Sequence, residues 1–214
     1  MIIDSEVARE AATKLLQIKA IKLQPDNPFT WASGWRSPIY CDNRLTLSHI
    51  QLRRWLGQQL AEQIVRQFGK PEAIAGVATG AIAIGILVAE ALDLPFVYVR
   101  PEAKKHGRQN QIEGEIPTGS KVVVIEDLVS TGGSSLKAVQ ALREAEMIVM
   151  GMAALFTYDF KVSTDNFAEA KCELITLSDY PHLIEAAQSM GYVAQDQLET
   201  LSEWRQDPSN WKAS

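Results

Sequence analysis

Cysteine is nearly missing from this chain: its 214 residues hold two, Cys41 and Cys172, far apart. Two such residues build neither a disulfide framework nor a metal knuckle, which leaves reduced thiols and a cytoplasmic setting as the expectation. An excess of basic charge is missing as well. The net charge is −5 and no basic stripe runs along the chain, which argues against a nucleic-acid surface. Long apolar runs are missing with one exception, residues 73–89, which carry no charge and approach membrane-spanning length. Gly76, Thr79, Gly80 and Gly85 break that run, and Glu90 and Asp93 close it, so a buried strand, a turn and an apolar helix are expected there instead, with no membrane partner. Asp4, Glu6, Arg9 and Glu10 stand where a signal peptide would be apolar. No GxGxxG follows the first core strand, which speaks against a dinucleotide-binding dehydrogenase. Repeats, low-complexity tracts and linkers are also lacking, so one domain over residues 1–214 is expected.

What is present is organised around residues 121–135, KVVVIEDLVSTGGSS. Val122, Val123, Val124 and Ile125 read as a fully buried parallel strand. Glu126 and Asp127 follow, then a turn of Ser130, Thr131, Gly132, Gly133 and Ser134, then a helix with Leu136, Val139 and Leu142 on one face. Such a turn aims backbone N–H groups and the positive end of a helix at a phosphate. The glycines allow close approach and the hydroxyls add donors, while the carboxylates can accept hydrogen bonds from sugar hydroxyls. The combination suits a phosphorylated sugar.

Around this stretch, helices are expected over residues 5–16, 48–68, 81–92, from Leu136 onward, from about Pro181 to a stop at Gly191, and behind Asp196. Strands are expected at 73–77, 94–99, 121–125, 147–157 and 172–177, with a short edge strand within 18–23. Alternation of strands and helices from residue 73 gives an α/β fold: a doubly wound, mostly parallel sheet flanked by helices. Three loops then fall at the carboxyl ends of strands, where ligands bind in such sheets: 78–80, 100–114 and 126–134. Residues 25–44 form a long irregular segment rich in Pro, Gly, Ser and aromatics, of the kind that usually serves a function in a compact domain.

The central stretch resembles the signature of the type I phosphoribosyltransferases, which use 5-phosphoribosyl 1-diphosphate (PRPP). Two further segments narrow the resemblance to the orotate phosphoribosyltransferases. One is Phe29-Thr30-x-x-Ser33-Gly34-x-Arg36-Ser37-Pro38-Ile39-Tyr40, continued by Asp42-Asn43-Arg44. The other is Arg100, Lys104, His106 and Gly107, in the order of that family's catalytic loop. Two positions depart from the pattern. Pro101 replaces a loop lysine, and Phe160, after Asp159, replaces an arginine that contacts orotate in many relatives.

The resemblance implies a type I phosphoribosyltransferase fold with an N-terminal hood, formed mainly by residues 1–47 over a core of about 48–214. It implies transfer of ribosyl 5-phosphate from PRPP to orotate, giving orotidine 5′-monophosphate and pyrophosphate in pyrimidine synthesis. Arg100, Lys104, His106, Thr79, Gly80 and the run Glu126, Asp127, Leu128, Val129, Ser130, Thr131, Gly132, Gly133 and Ser134 would bind PRPP. Ser130, Arg36, Ser33 and Phe29 would hold orotate. Lys104, His106, Glu126 and Asp127 would carry the chemistry, the acids facing an oxocarbenium-like centre and the cations the departing pyrophosphate. Mg²⁺ would be bound mainly through PRPP, without a dedicated protein site, and the loop would close over the partner's site in a homodimer. Two alternatives stay open: a phosphoribosyltransferase for another base, and a non-catalytic PRPP-sensing regulator on the same fold.

Overall fold

The computed structural model describes residues 1–31, 33–101 and 111–212. Helix α1 (Ser5–Gln17) starts at Asp4, whose carboxylate accepts from the N–H groups of Glu6 and Val7. Short strands β1 (Ile21–Leu23), β2 (Phe29–Thr30), β3 (Arg36–Ser37) and β4 (Ile39–Cys41) follow, then a 3₁₀ turn, Asn43–Ser48. The body is α2 (Ile50–Phe68), β5 (Ala73–Val77), α3 (Ala81–Leu92), β6 (Phe96–Val99), β7 (Ile112–Glu113), β8 (Lys121–Val129), α4 (Gly133–Glu144), β9 (Ile148–Thr157), α5 (Lys161–Glu169), β10 (Leu174–Asp179), α6 (Tyr180–Ser189) and α7 (Gln197–Gln206).

The main sheet runs in the order β10-β9-β8-β5-β6-β7, and every pair is parallel except the β6–β7 edge. The chain winds outward from β5 through β6, returns to the centre at β8, and winds outward the other way through β9 and β10. Strand order therefore reverses between β5 and β8. With right-handed crossovers, α3 and α4 cover opposite faces. Residues 122–125 are fully buried, as a strand covered on both faces requires.

The hood consists of two small antiparallel ribbons, β1–β4 and β2–β3. Its floor is an aromatic cluster. Trp204 of α7 is fully buried there and meets Trp31, Tyr158, Phe160 and Tyr180 at centroid distances of 5.4–5.8 Å. Its Nε1 donates to the carbonyl of Arg36, 3.2 Å away, so the C-terminal helix holds the hood down. The first helix belongs to the body instead. It packs on β10 and α6, Ser178 Oγ donates to the Ala8 carbonyl at 2.8 Å, and Ile2 bridges Thr176 of β10. The hood proper is thus narrower than the N-terminal 47 residues.

Three further elements differ from the sequence expectation. Strand β8 does not end at Ile125 but continues to Val129, because its pairing with β9 runs on through Leu128↔Phe156 and Val129↔Thr157. Helix α5 was not expected; it buries only Ser163 and Phe167, too little for a visible helical stripe. The cationic segment ends in a short edge strand, β7, that pairs with β6.

Candidate active site

Two cavities meet at the reversal point between β5 and β8, where ligands bind in open α/β sheets. The first, about 380 Å³, is lined by Thr79, Gly80, Glu126, Asp127, Leu128 and Ser134, with Asp42 and Arg44 arriving from the hood. Successive strand residues point to opposite faces, and the two acids obey this. Glu126 turns to the α4 side, where Ser135 Oγ donates to its Oε2 at 2.8 Å and the Asp127 N–H donates to its Oε1 at 3.0 Å. Asp127 turns to the α3 side against Gly80. A Cβ at Gly80 would lie 2.6 Å from Asp127 Oδ1, so a larger residue there would push that carboxylate aside.

Glu126 is 5% exposed. Burial first, and the neighbouring Asp127 charge second, push its carboxyl up to about 8. Burial also raises Asp127, while its hydrogen bond with Glu126 pulls it back down. Burial of the pair and the closeness of the two charges favour a protonated Glu126.

The turn after β8 is built to leave backbone N–H groups open. Helix α4 begins at Gly132, which has φ +83° and no side-chain cap, so its first N–H groups have no intrahelical partner. Gly132 is fixed twice, by its left-handed backbone and by Phe167, whose ring would meet a Cβ at 2.7 Å. Asn166 Nδ2 of α5 donates to the Thr131 carbonyl at 2.9 Å and braces the turn from outside. Helix α3 likewise starts at a glycine, Gly80, without a side-chain cap. The two helix N-termini flank the cavity as anion sites.

The second cavity, about 330 Å³, shares Cys41 and Leu128 with the first and is otherwise lined by Thr30, Trp31, Tyr40, Ser130 and Tyr158. Its walls are aromatic, suited to a flat ring. Asn43 ties the hood to the sheet here: its Nδ2 donates to the Asp127 carbonyl at 2.6 Å. Arg44 is held by Asp42 in a two-pronged pair, Nε–Oδ1 2.7 Å and Nη2–Oδ2 2.9 Å. That pairing is the first cause of the lowered Asp42 carboxyl.

The sequence-derived site residues separate into groups. Thr79, Gly80, Glu126, Asp127, Leu128 and Ser134 converge on the first cavity, and Ser130 reaches the second. Thr131, Gly132 and Gly133 form the turn itself. Val129 is buried in the core, its carbonyl accepting from Thr157 Oγ1 at 3.1 Å. Phe29, Ser33 and Arg36 stand in the hood but do not line either cavity: Phe29 packs on Tyr40 at 5.6 Å, and Ser33 Oγ accepts from the Trp35 N–H. Arg100 follows β6 with its guanidinium on Glu113 at 3.4 Å and lines neither cavity of its own chain. Lys104 and His106 lie outside the described residues. Sequence reasoning assigned no role to Asn43, Arg44, Tyr40 or Tyr158. The continuation Asp42-Asn43-Arg44 was the available signal for the first two.

This arrangement defines a protein that takes a phosphorylated sugar between two helix N-termini and presents it to a flat aromatic-walled pocket. The chain belongs to the phosphoribosyltransferase family: the model described as "Phosphoribosyl transferase domain" matches residues 46–188. Within that family it is similar to orotate phosphoribosyltransferases. The enzyme of that name from Phocaeicola vulgatus is 56% identical over 94% of this chain and 95% of its own. The crystal structure of orotate phosphoribosyltransferase from Aeropyrum pernix superposes with a TM-score of 0.72 at 28% identity, covering 86% of this chain and 99% of that one. The structure of Leishmania donovani UMP synthase shares the fold at a TM-score of 0.78 and 23% identity, with 92% of this chain matching 42% of that longer one.

Proposed function

We infer that this chain is an orotate phosphoribosyltransferase, moving ribosyl 5-phosphate from PRPP to N1 of orotate in pyrimidine biosynthesis. The observation that carries the reading is the meeting of an acid pair, two uncapped helix N-termini and an aromatic-walled cavity at one strand-order reversal. The N–H groups of residues 131–134 receive the 5′-phosphate, and the 78–80 turn receives the diphosphate. Asp127 and the protonated Glu126 together offer the ribose hydroxyls both an acceptor and a donor. As the bond from C1 to the diphosphate oxygen breaks, positive charge develops at C1, and the ionised Asp127 faces it. The charge of orotate sits on its carboxylate, so the N1 proton leaves only as the N1–C1 bond forms, and it passes to water or to a basic group at the site. Lys104, His106 and Arg100 neutralise the diphosphate, and His106 or Lys104 supplies its proton. In this reading they act on the partner's site of a cytoplasmic homodimer.

Mg²⁺ fits this site as an ion carried by the substrate. Among the described residues no three His, Cys, Asp or Glu side chains gather around one point, and Glu126 and Asp127 supply two carboxylates at most. The ion would take most of its oxygen ligands from the diphosphate and ribose, and would supply charge neutralisation there.

The test is pyrophosphate release with PRPP, Mg²⁺ and orotate together, then with each omitted in turn. Release is expected only with all three. Release with uracil or a purine in place of orotate, and none with orotate, contradicts the acceptor. Tight PRPP binding with no turnover on any base contradicts catalysis.

A further inference from the structure

The aromatic cavity holds one polar group that none of these roles uses. Tyr158 lines it and is only 2% exposed, yet its hydroxyl makes no hydrogen bond to a described residue. Its neighbour in the same cluster, Tyr180, donates to the Leu201 carbonyl at 2.9 Å, as a buried tyrosine ordinarily does. The hydroxyl is not among the fully buried side-chain atoms left without a partner, so it keeps contact with the cavity, and a donor open to a ligand cavity marks a place where a ligand can complete the bond.

The ring that carries this hydroxyl is held on several sides. Phe160 stacks on it at 5.4 Å with planes 20° apart. Trp204 and Phe156 meet it edge-on, at 5.8 and 5.6 Å, and Trp31 leans on it at 5.1 Å. The hydroxyl is therefore aimed before any ligand arrives, and little rotamer freedom is lost on binding. Phe160 stands where the resemblance led to the expectation of an arginine. Here it is 3% exposed and serves as the platform under Tyr158. The nearby Arg205 does not replace that arginine. It pairs with Asp159 at 2.5 Å and lines a separate cavity with Lys161 and Asp165. Burial raises both the Tyr158 phenol and the Cys41 thiol well above their ordinary values, which favours the neutral, donating hydroxyl.

We propose that the Tyr158 hydroxyl selects the acceptor: it donates a hydrogen bond to an exocyclic oxygen of the pyrimidine, with Phe160 as the residue that positions it. The proposal rests on the acceptor reading above. Tyr158→Phe keeps the ring and its packing and removes only the donor. The expected result is a rise of about tenfold in KM for orotate, the effect of losing one hydrogen bond to a charged or strongly polar partner. KM for PRPP, kcat and the melting temperature should stay near the parent values. Phe160→Leu, which removes the stack but leaves the hydroxyl, should raise KM for orotate by less and leave KM for PRPP alone. A Tyr158→Phe enzyme whose orotate KM stays within about twofold of the parent overturns the proposal, since no hydrogen bond of ordinary strength was then lost. A parent active only with a different base overturns the acceptor reading instead, and the same KM ratio measured on that base decides the role of Tyr158.

Discussion

At the scale of single residues, the site works by contrast between adjacent side chains. Glu126 and Asp127 are neighbours in sequence and both border the first cavity, yet one is hydrogen-bonded to Ser135 and the other stands beside Gly80. Strand alternation gives this division, and burial turns it into chemistry by keeping a proton on Glu126. The consequence for stability has a definite sign. The folded chain retains a proton that the unfolded chain releases above about 4.5, the ordinary value for this carboxyl. The stabilisation is complete below that pH and is lost as pH rises toward about 8, where the folded carboxyl ionises beside Asp127. Glu126→Gln removes the titration. Between pH 5.5 and 8.5 its melting temperature should fall less than the parent's, by at least about 3 °C, equivalent to roughly 1 kcal/mol in a chain of this size. Parallel melting curves against pH for the two proteins would place the proton elsewhere.

At the scale of elements, most of the body was legible because its signals are local. A run such as Val122 to Ile125 has few fates other than a doubly covered strand, and a helix such as α2, with Leu56, Leu60 and Ile64 at helical spacing, announces its own buried side. The glycine-hydroxyl turn was legible for the same reason, since its residues are demanded by the turn itself. What escaped depends on contacts made far along the chain. Strand β8 runs on to Val129 through pairing with β9, which the apolar run alone does not reveal. Helix α5 is legible only through its partners: Phe167 against Gly132 and Asn166 on Thr131. The aromatic pocket is the clearest case. Thr30, Trp31, Tyr40 and Tyr158 come from the hood and from the end of β9, and Trp204 of α7 meets Trp31 and Tyr158 and gathers two neighbours, Phe160 and Tyr180, beside them. Phe29, Ser33 and Arg36, to which sequence likeness pointed, stand in this hood, and Thr30 of β2 and Trp31 just past it line the cavity.

At the scale of the whole molecule, the design is one sheet whose winding direction reverses between β5 and β8, with a hood closing one side of the opening. The three sequence segments that suggested substrate binding come from far-separated parts of the chain. Two of them, 78–80 and 126–134, meet because parallel strands place both loops at one edge. The third, the cationic segment after Arg100, departs from β6 and returns through β7 at the same edge. If that segment serves the partner's site, a damaged acid tip and a damaged cationic segment can complement each other. Lys104→Ala and Asp127→Asn should each be nearly inactive. Mixed and allowed to exchange subunits, they should recover about a quarter of the parent activity, because half of a randomly paired dimer population is mixed and each mixed dimer has one intact site. No recovery, with exchange demonstrated, would confine each site to a single chain.

The central claim is that the sugar diphosphate lies across the reversal point, its 5′-phosphate on the turn after β8 and its ribose on the acid pair. The most direct measurement is a crystal structure of the protein with PRPP and Mg²⁺ bound. The account predicts phosphate density within hydrogen-bonding reach of the N–H groups of residues 131–134 and ribose hydroxyls against Glu126 and Asp127. Density for the ribose phosphate anywhere else, with that turn left empty, would contradict it.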